Sequence, residues 1–402
     1  MQSNFRANVA RLSRDRTFVI RAALAILAVS VLASWLVSAV PLFRQVAATE
    51  SMVGLPPTTE GSSFIPVEGD RAALRTFLQD PANRAGMDST TLRAALTDAG
   101  LYGELLLATL RHQSELLVSP AAIPAFFGAL IWIGILFAFW NVSRPRLAMA
   151  TGAFLVGMAG AALAFFVQML QERTGGMTFV ESDPPFSQFL HFVVGSGLRE
   201  ETIKLLVAFP FLWWTARHRS NAEALIVAGL VGLGFITQES LTDFSENFAT
   251  ATPWTRLLTA NGLHVSLTGL VGWAVARCCA RRGRGWEDAL IYFLGVVLAH
   301  AFYEALFAMP LLEAYSSLSS IFIAVVAYRY FDLLRDHREI SQASLRVSPL
   351  GIFVIGTTAL AGFVLLGSAA VVPYHFALGI FFASIGSLIP LAFAYISRFR
   401  DL

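Results

Sequence analysis

The chain has 402 residues, 56% of them hydrophobic and only 14% charged, with a mean hydropathy of +0.63. That balance excludes an ordinary soluble domain and fits a polytopic membrane protein. The formal net charge of +2 offers no basic surface for nucleic acid. The only two cysteines, Cys278 and Cys279, are adjacent, so they staple no distant segments and show no redox or zinc spacing.

Five arginines between Arg6 and Arg21 overlap or precede an apolar run over about 17–40. The run has full transmembrane length and is too long for a signal-peptide core, which predicts an uncleaved first helix (residues 1–41) with a cytoplasmic N-terminus. Hydropathy falls from Pro41 to Pro120. Pro56-Pro57, Gly61-Ser62-Ser63 and Pro66 mark an irregular stretch, followed by an amphipathic helix near Asp70–Gln79 and a second from about Asp88 toward Val118. Residues 42–120 therefore read as a small extracytoplasmic helical insertion, which covers a membrane cavity, contacts a substrate or merely packs as a loop.

Further spans are expected at about 121–141, 147–170, 186–214, 222–243, 257–276, 287–308, 311–330, 349–369 and 374–396. The predicted fold class is thus all-α, a polytopic transmembrane helical bundle of about ten spans. The 121–185 segment supplies two spans and an outer loop, and 309–402 the last helices. Alternating the spans collects Arg144, Arg146, Arg217, Arg219, the Arg277–Arg284 group, the Arg329–Arg346 group, Arg398 and Arg400 on the inside. The positive-inside rule then places both termini in the cytoplasm of a multi-pass cell-membrane (inner or plasma membrane) protein. Cys278 and Cys279 lie in that basic setting, as acylation sites or as small residues at a helix end. No internal repeat is evident.

The least expected stretch is Arg199-Glu200-Glu201-Thr202-Ile203-Lys204, four charges inside an apolar run, with Lys204 the only lysine of the chain. Charges at membrane depth cost about 2.5–3.5 kcal/mol each on insertion scales and mark functional sites when they face the bundle interior. Glu200 and Lys204 are i,i+4 neighbours on one helix face, so they are expected to pair and to leave Glu201 on an adjacent face. The alternative is an ion pair that only orients two helices.

Three following spans bring Glu239, His264 and His300 to the middle and outer bilayer, and Glu304 stands one turn after His300. Hydrolysis of an amide needs a base for water, a donor for the oxyanion and an acid for the leaving amine, and these residue types supply all three. Glu200 and Glu201 are expected to activate water or hold the activating group, with Lys204 as their electrostatic partner. Glu239, His264 and His300 complete the base and oxyanion machinery, and Glu304 either bonds His300 or donates in its acid form. A second arrangement has Glu201, Glu239, His264 and His300 hold zinc, although no H-E-x-x-H pair exists. The cofactor is therefore zinc or none. A proton-coupled transporter using the same cluster as a relay is the rival function, and a catalytically inactive membrane-binding relative the third.

At these residues the chain resembles the PrsW family of intramembrane proteases, relatives of the CAAX prenyl endopeptidases and Abi proteins. The family pattern is E-E-x-x-K on one helix, F-x-x-x-E on the next, a histidine helix and an H-x-x-x-N-like helix. Here these read Glu200-Glu201-x-x-Lys204, Phe235-x-x-x-Glu239, His264 and His300-x-x-x-Glu304. The resemblance covers about residues 186–308, expected to be the catalytic core. It implies an intramembrane endopeptidase that hydrolyses a peptide bond of a single-pass membrane-protein substrate, such as an anti-sigma factor, on the extracytoplasmic side. The implied partners are that substrate and the lipid bilayer.

Overall fold

The computed structural model describes residues 2–39, 71–80, 83–84, 87, 89–140, 144–175, 179–218, 221–248, 250–337 and 347–399. Helices α1 (Gln2–Arg14) and α2 (Arg16–Ala39) precede three short ones, α3 (Arg71–Gln79), α4 (Ser89–Ala99) and α5 (Tyr102–Leu116). The bundle proper follows: α6 (Ala122–Phe137), α7 (Arg144–Gly175), α8 (Pro185–His191), α9 (Arg199–His218), α10 (Asn221–Asn247) and α11 (Ala251–Ala280). It closes with α12 (Trp286–Ala308), α13 (Leu318–His337), α14 (Pro349–Val371) and α15 (Tyr374–Phe399). No strand occurs among the described residues, so the chain is the all-α membrane bundle its composition predicts.

Seven helices, α2, α7, α10, α11, α12, α14 and α15, are long and apolar enough to cross a bilayer. The other three expected spans are helical but differ in kind. Helix α6 has 16 residues, about 24 Å at 1.5 Å per residue, less than a hydrocarbon core of about 30 Å. Helix α13 carries Arg329, Asp332, Arg335 and Asp336 toward its end. The expected span 186–214 is no single α-helix. It consists of α8, a seven-residue π-helical stretch Phe192–Leu198 and α9. Gly197 lets that stretch touch α12, since a Cβ there would lie 2.5 Å from the Val297 carbonyl oxygen. A π turn re-aims the side chains that follow it, here the four charged ones.

The irregular stretch around Pro56–Pro66 and the expected helix starts at Asp70 and Asp88 lie outside the described residues. The expected long second amphipathic helix is two helices, α4 and α5. Gly100 at φ +66° ends α4, with Leu101 N–H on the Leu96 carbonyl (2.9 Å) and Gly100 N–H on that of Thr97 (3.0 Å). This is a Schellman ending, and Arg75 adds bonds to the Ala99 and Gly100 carbonyls. The α3–α5 unit buries Leu74, Leu78, Leu96 and Leu105, and leans on Phe166, Met169 and Leu170 of α7. It shares a core with the bundle and has no large one of its own.

Helix α10 is the axis of the bundle, with 94% of its apolar window buried, against 11% for α2. It packs on α7, α9 and α11, while α2 lies outside against α14. Small residues let the backbones meet, as membrane helices require in the absence of a hydrophobic drive between them. A Cβ on Gly232 would fall 2.3 Å from the His264 carbonyl oxygen, and one on Gly234 2.0 Å from that of Phe154. The first contact brings α10 and α11 together at the level of the charged residues. Gly232→Ala should therefore lower the thermal midpoint of the purified protein, as overpacking costs about 1–3 kcal/mol or more. Gly295→Ala, which meets nothing within 4 Å, should be neutral or stabilising in the same unfolding scan.

Candidate active site

Helix α9 opens on Arg199, Glu200 and Glu201 immediately after the π turn, and Lys204 follows one turn later. Lys204 is wholly buried, and so is Glu201, while Glu200 keeps 7% exposure. The ammonium donates to Glu201 Oε1 at 2.9 Å and to Glu200 Oε2 at 3.3 Å, and lies 4.1 Å from the centre of the Phe235 ring. It also lies 3.0 Å from His264 Nδ1. An ammonium can only donate, so Nδ1 accepts, and the proton of the neutral ring sits on Nε2.

Glu201 Oε1 takes a second bond, from His300 Nδ1 at 2.8 Å, which leaves His300 Nε2 3.6 Å from Glu200 Oε2. On the other side His264 Nε2 faces Glu239 Oε2 at 3.8 Å. The two imidazoles stand edge to face, 5.1 Å between centres. Glu200 has one more partner, Arg199 at 3.5 Å, itself held by Gln168 and Gln171 of α7. Six of the seven expected site residues thus form one contact network across α9, α10, α11 and α12.

The details differ from the helix-face expectation. Lys204 binds Glu201 more closely than Glu200, and Glu201 bridges Lys204 and His300. Glu200, with Glu239, reaches a cavity of about 400 Å³ whose wall also includes Ser196, Arg199, Arg256 and Glu304. Glu304 does not hydrogen-bond His300. Its carboxylate lies 3.6 Å from Arg256, which pairs with Asp243 at 3.2 Å. One helical turn carries Glu304 past the imidazoles to the cavity mouth, where it stays 25% exposed.

Four contributors were not singled out from the sequence. Arg256 is one, and its signal was available: an arginine on an outer span end runs against the charge bias of the other loops. Gln113 of α5 and Gln238 of α10 are two others, joined by a 2.6 Å hydrogen bond, and Arg93 of α4, on the same cavity wall as Gln113, is the fourth. Nothing in a glutamine's local sequence announces a partner 125 positions away.

The helical membrane bundle gathers glutamates and histidines beside an interior cavity, an arrangement that supplies the groups hydrolysis needs. Residues 144–331 match the family model described as PrsW family intramembrane metalloprotease. This region, just under half of the chain, is similar to the PrsW family of membrane peptidases, and all of the expected site residues lie inside it. No curated protein and no solved structure matches it.

The family description implies a metal ion, and the donors here do not fit one. Among the described residues no three His, Cys, Asp or Glu side chains are grouped as ligands of a common ion. The place between Glu200, Glu201 and His264 belongs to the Lys204 ammonium, whose charge opposes a divalent cation. His264 Nε2, Glu239 Oε2 and Glu201 Oε2 have no hydrogen-bond partner among the described residues, but they are not grouped around a common point, and a catalytic zinc takes three converging protein ligands.

Removing the central cation strands two carboxylates in a water-poor interior. Lys204→Met should cost about 3–5 kcal/mol, the penalty for breaking a buried pair from one side. A thermal scan of the detergent-solubilised protein checks this, and the double variant Lys204→Met with Glu201→Gln should recover part of the loss.

Proposed function

We propose that the chain is an intramembrane endopeptidase that cleaves a peptide bond of a single-pass membrane-protein substrate by glutamate and histidine chemistry. The observation that carries this reading is the position of Glu200. It is the carboxylate that both touches Lys204, Arg199 and His300 and lines the cavity. Cationic neighbours pair with it, and the cavity gives it access to water and substrate.

In this reading Glu200 takes a proton from the attacking water, and the hydroxide adds to the scissile carbonyl. The oxyanion accepts a hydrogen bond from His264 Nε2–H, a donor aimed by the Lys204 contact on the opposite ring nitrogen. Glu239, in its acid form, faces the departing amine and supplies its proton. The C–N bond breaks, and a proton returns from Glu200 to Glu239 through the cavity water. Glu201 and Lys204 hold Glu200 and His300 in place without touching the reacting atoms. Glu304 and Arg256 shape the mouth, and the α3–α5 unit walls it through Arg93 and Gln113. In this reading the mouth of the 186–308 core faces the outside of the cell membrane and both termini face the cytoplasm, as the positive-inside distribution of arginines favours.

The transporter reading finds less support, because among the described motif helices only the α8–α9 stretch is interrupted, whereas a carrier commonly breaks two in corresponding positions.

Co-expression with single-pass membrane proteins from the same source, read by mass spectrometry of new termini, tests the function. Glu200→Gln and Glu239→Gln should each lower cleavage at least about 100-fold, the scale of general acid–base catalysis, with an unchanged size-exclusion profile. Glu304→Asn should retain cleavage, since a mouth residue outside the catalytic contacts is replaced by a polar one of similar size. Incubation with a zinc chelator should leave turnover unchanged; abolition by chelator and recovery with added metal would displace this mechanism.

A further inference from the structure

A second concavity lies at the other end of α11. It has a volume of about 210 Å³ and is walled by Arg277, Arg281, Arg284 and Arg329, with Trp273, Tyr292 and a single acid, Asp288. On α11 it is separated from Arg256 at the cavity mouth by about 31 Å, at 1.5 Å per residue. That is the thickness of a hydrocarbon core, so the two sites lie at opposite membrane faces.

We propose that this groove binds the phosphate of an anionic lipid headgroup. Its arginines come from three places, the end of α11, the turn after it and α13, and they are held apart by an aromatic floor. The Arg277 guanidinium lies 4.6 Å from the Trp273 ring centre, Trp273 packs edge to face on Tyr292 at 5.6 Å, and the Tyr292 hydroxyl accepts from Arg329 at 3.2 Å. Arg329 is neutralised by Asp332 at 3.2 Å. Arg277, Arg281 and Arg284 have no carboxylate within 4.0 Å among the described residues. A charge bias that sets topology calls only for arginines on one side. It does not call for three unneutralised guanidiniums around one aromatic-floored groove.

Depth selects the lipid over a soluble phosphate. Trp286, at the start of α12, is 57% exposed beside the groove, and Ile291 and Leu294 on the next turns are 67% and 48% exposed. An exposed tryptophan above exposed aliphatics marks the headgroup layer. Basic pockets between helices at that level suit phosphate headgroups, with each arginine contributing about fivefold in affinity.

The test uses the purified full-length chain in nanodiscs of phosphatidylcholine mixed with phosphatidylglycerol, and native mass spectrometry to count retained lipids. Wild type should retain phosphatidylglycerol preferentially. Arg281→Gln should weaken that retention about fivefold, and Arg277→Gln with Arg281→Gln and Arg284→Gln should abolish the preference. Arg282→Asn removes the same charge from the same turn, outside the groove lining, and should leave retention unchanged. Equal losses from Arg281→Gln and Arg282→Asn would reduce the effect to general surface charge and overturn the proposal. So would wild-type retention in Arg281→Gln, or displacement of the lipid by millimolar inorganic phosphate, which would make the groove a soluble-anion site.

Discussion

The interior depends on one cation. An ammonium ion withdrawn from water costs several kcal/mol, and for a wholly buried side chain the cost is offset only by direct partners. Lys204 has them on every side: Glu200 and Glu201 from its own helix, the His264 ring nitrogen from α11 and the Phe235 face from α10. Through Glu201 the same charge also fixes His300 of α12. Four helices thus take their relative depth and rotation from a single side chain. The arrangement also sets the chemistry, because the Lys204 bond decides which nitrogen of His264 is left to donate.

Such contacts need helices closer than leucine-faced packing allows. The glycines of α10 provide the approach, with Gly232 against the His264 carbonyl and Gly234 against that of Phe154. In a membrane the lipid competes equally well for apolar side chains, so backbone proximity and polar contacts, and no hydrophobic drive, hold these helices together. The most buried helix is accordingly the one whose small residues let both neighbours come near. The π turn before α9 serves the same end from another side, since it lets Arg199, Glu200, Glu201 and Lys204 all turn inward within six residues.

Polarity is distributed along the bundle axis in a way that fits the chemistry at each end. The cavity mouth collects Glu172, Asp243, Glu246 and Glu304 around Arg93, Arg199 and Arg256, a polar surface of mixed charge. The other end is almost purely basic and lies at the level of an interfacial tryptophan. Between them α10 and α11 bury, besides the Lys204 cluster, uncharged polar side chains such as Thr237, Gln238, Asn261, Ser266 and Thr268. Glu200 and Glu239 line the cavity at one end, while Lys204, Glu201 and the two histidines are closed off behind them.

Composition alone determined that this is a helical membrane protein, and hydropathy placed nearly every helix to within a few residues. The i,i+4 rule paired Glu200 with Lys204, and the spacing of motifs on successive spans brought Glu239, His264 and His300 to one depth, as the structure does. These are properties of single helices and of their lengths, and periodicity encodes them. Periodicity does not encode how one helix is rotated against another, or which of two neighbouring carboxylates a lysine will prefer once a histidine from a third helix is present. Only the tertiary structure decided that Glu201 bridges Lys204 and His300, that Glu200 is the carboxylate facing the cavity, and that Glu304 turns to Arg256. The break at Gly100, the π turn and the Gln113–Gln238 bond were settled there too, because each depends on contacts between segments far apart in the chain.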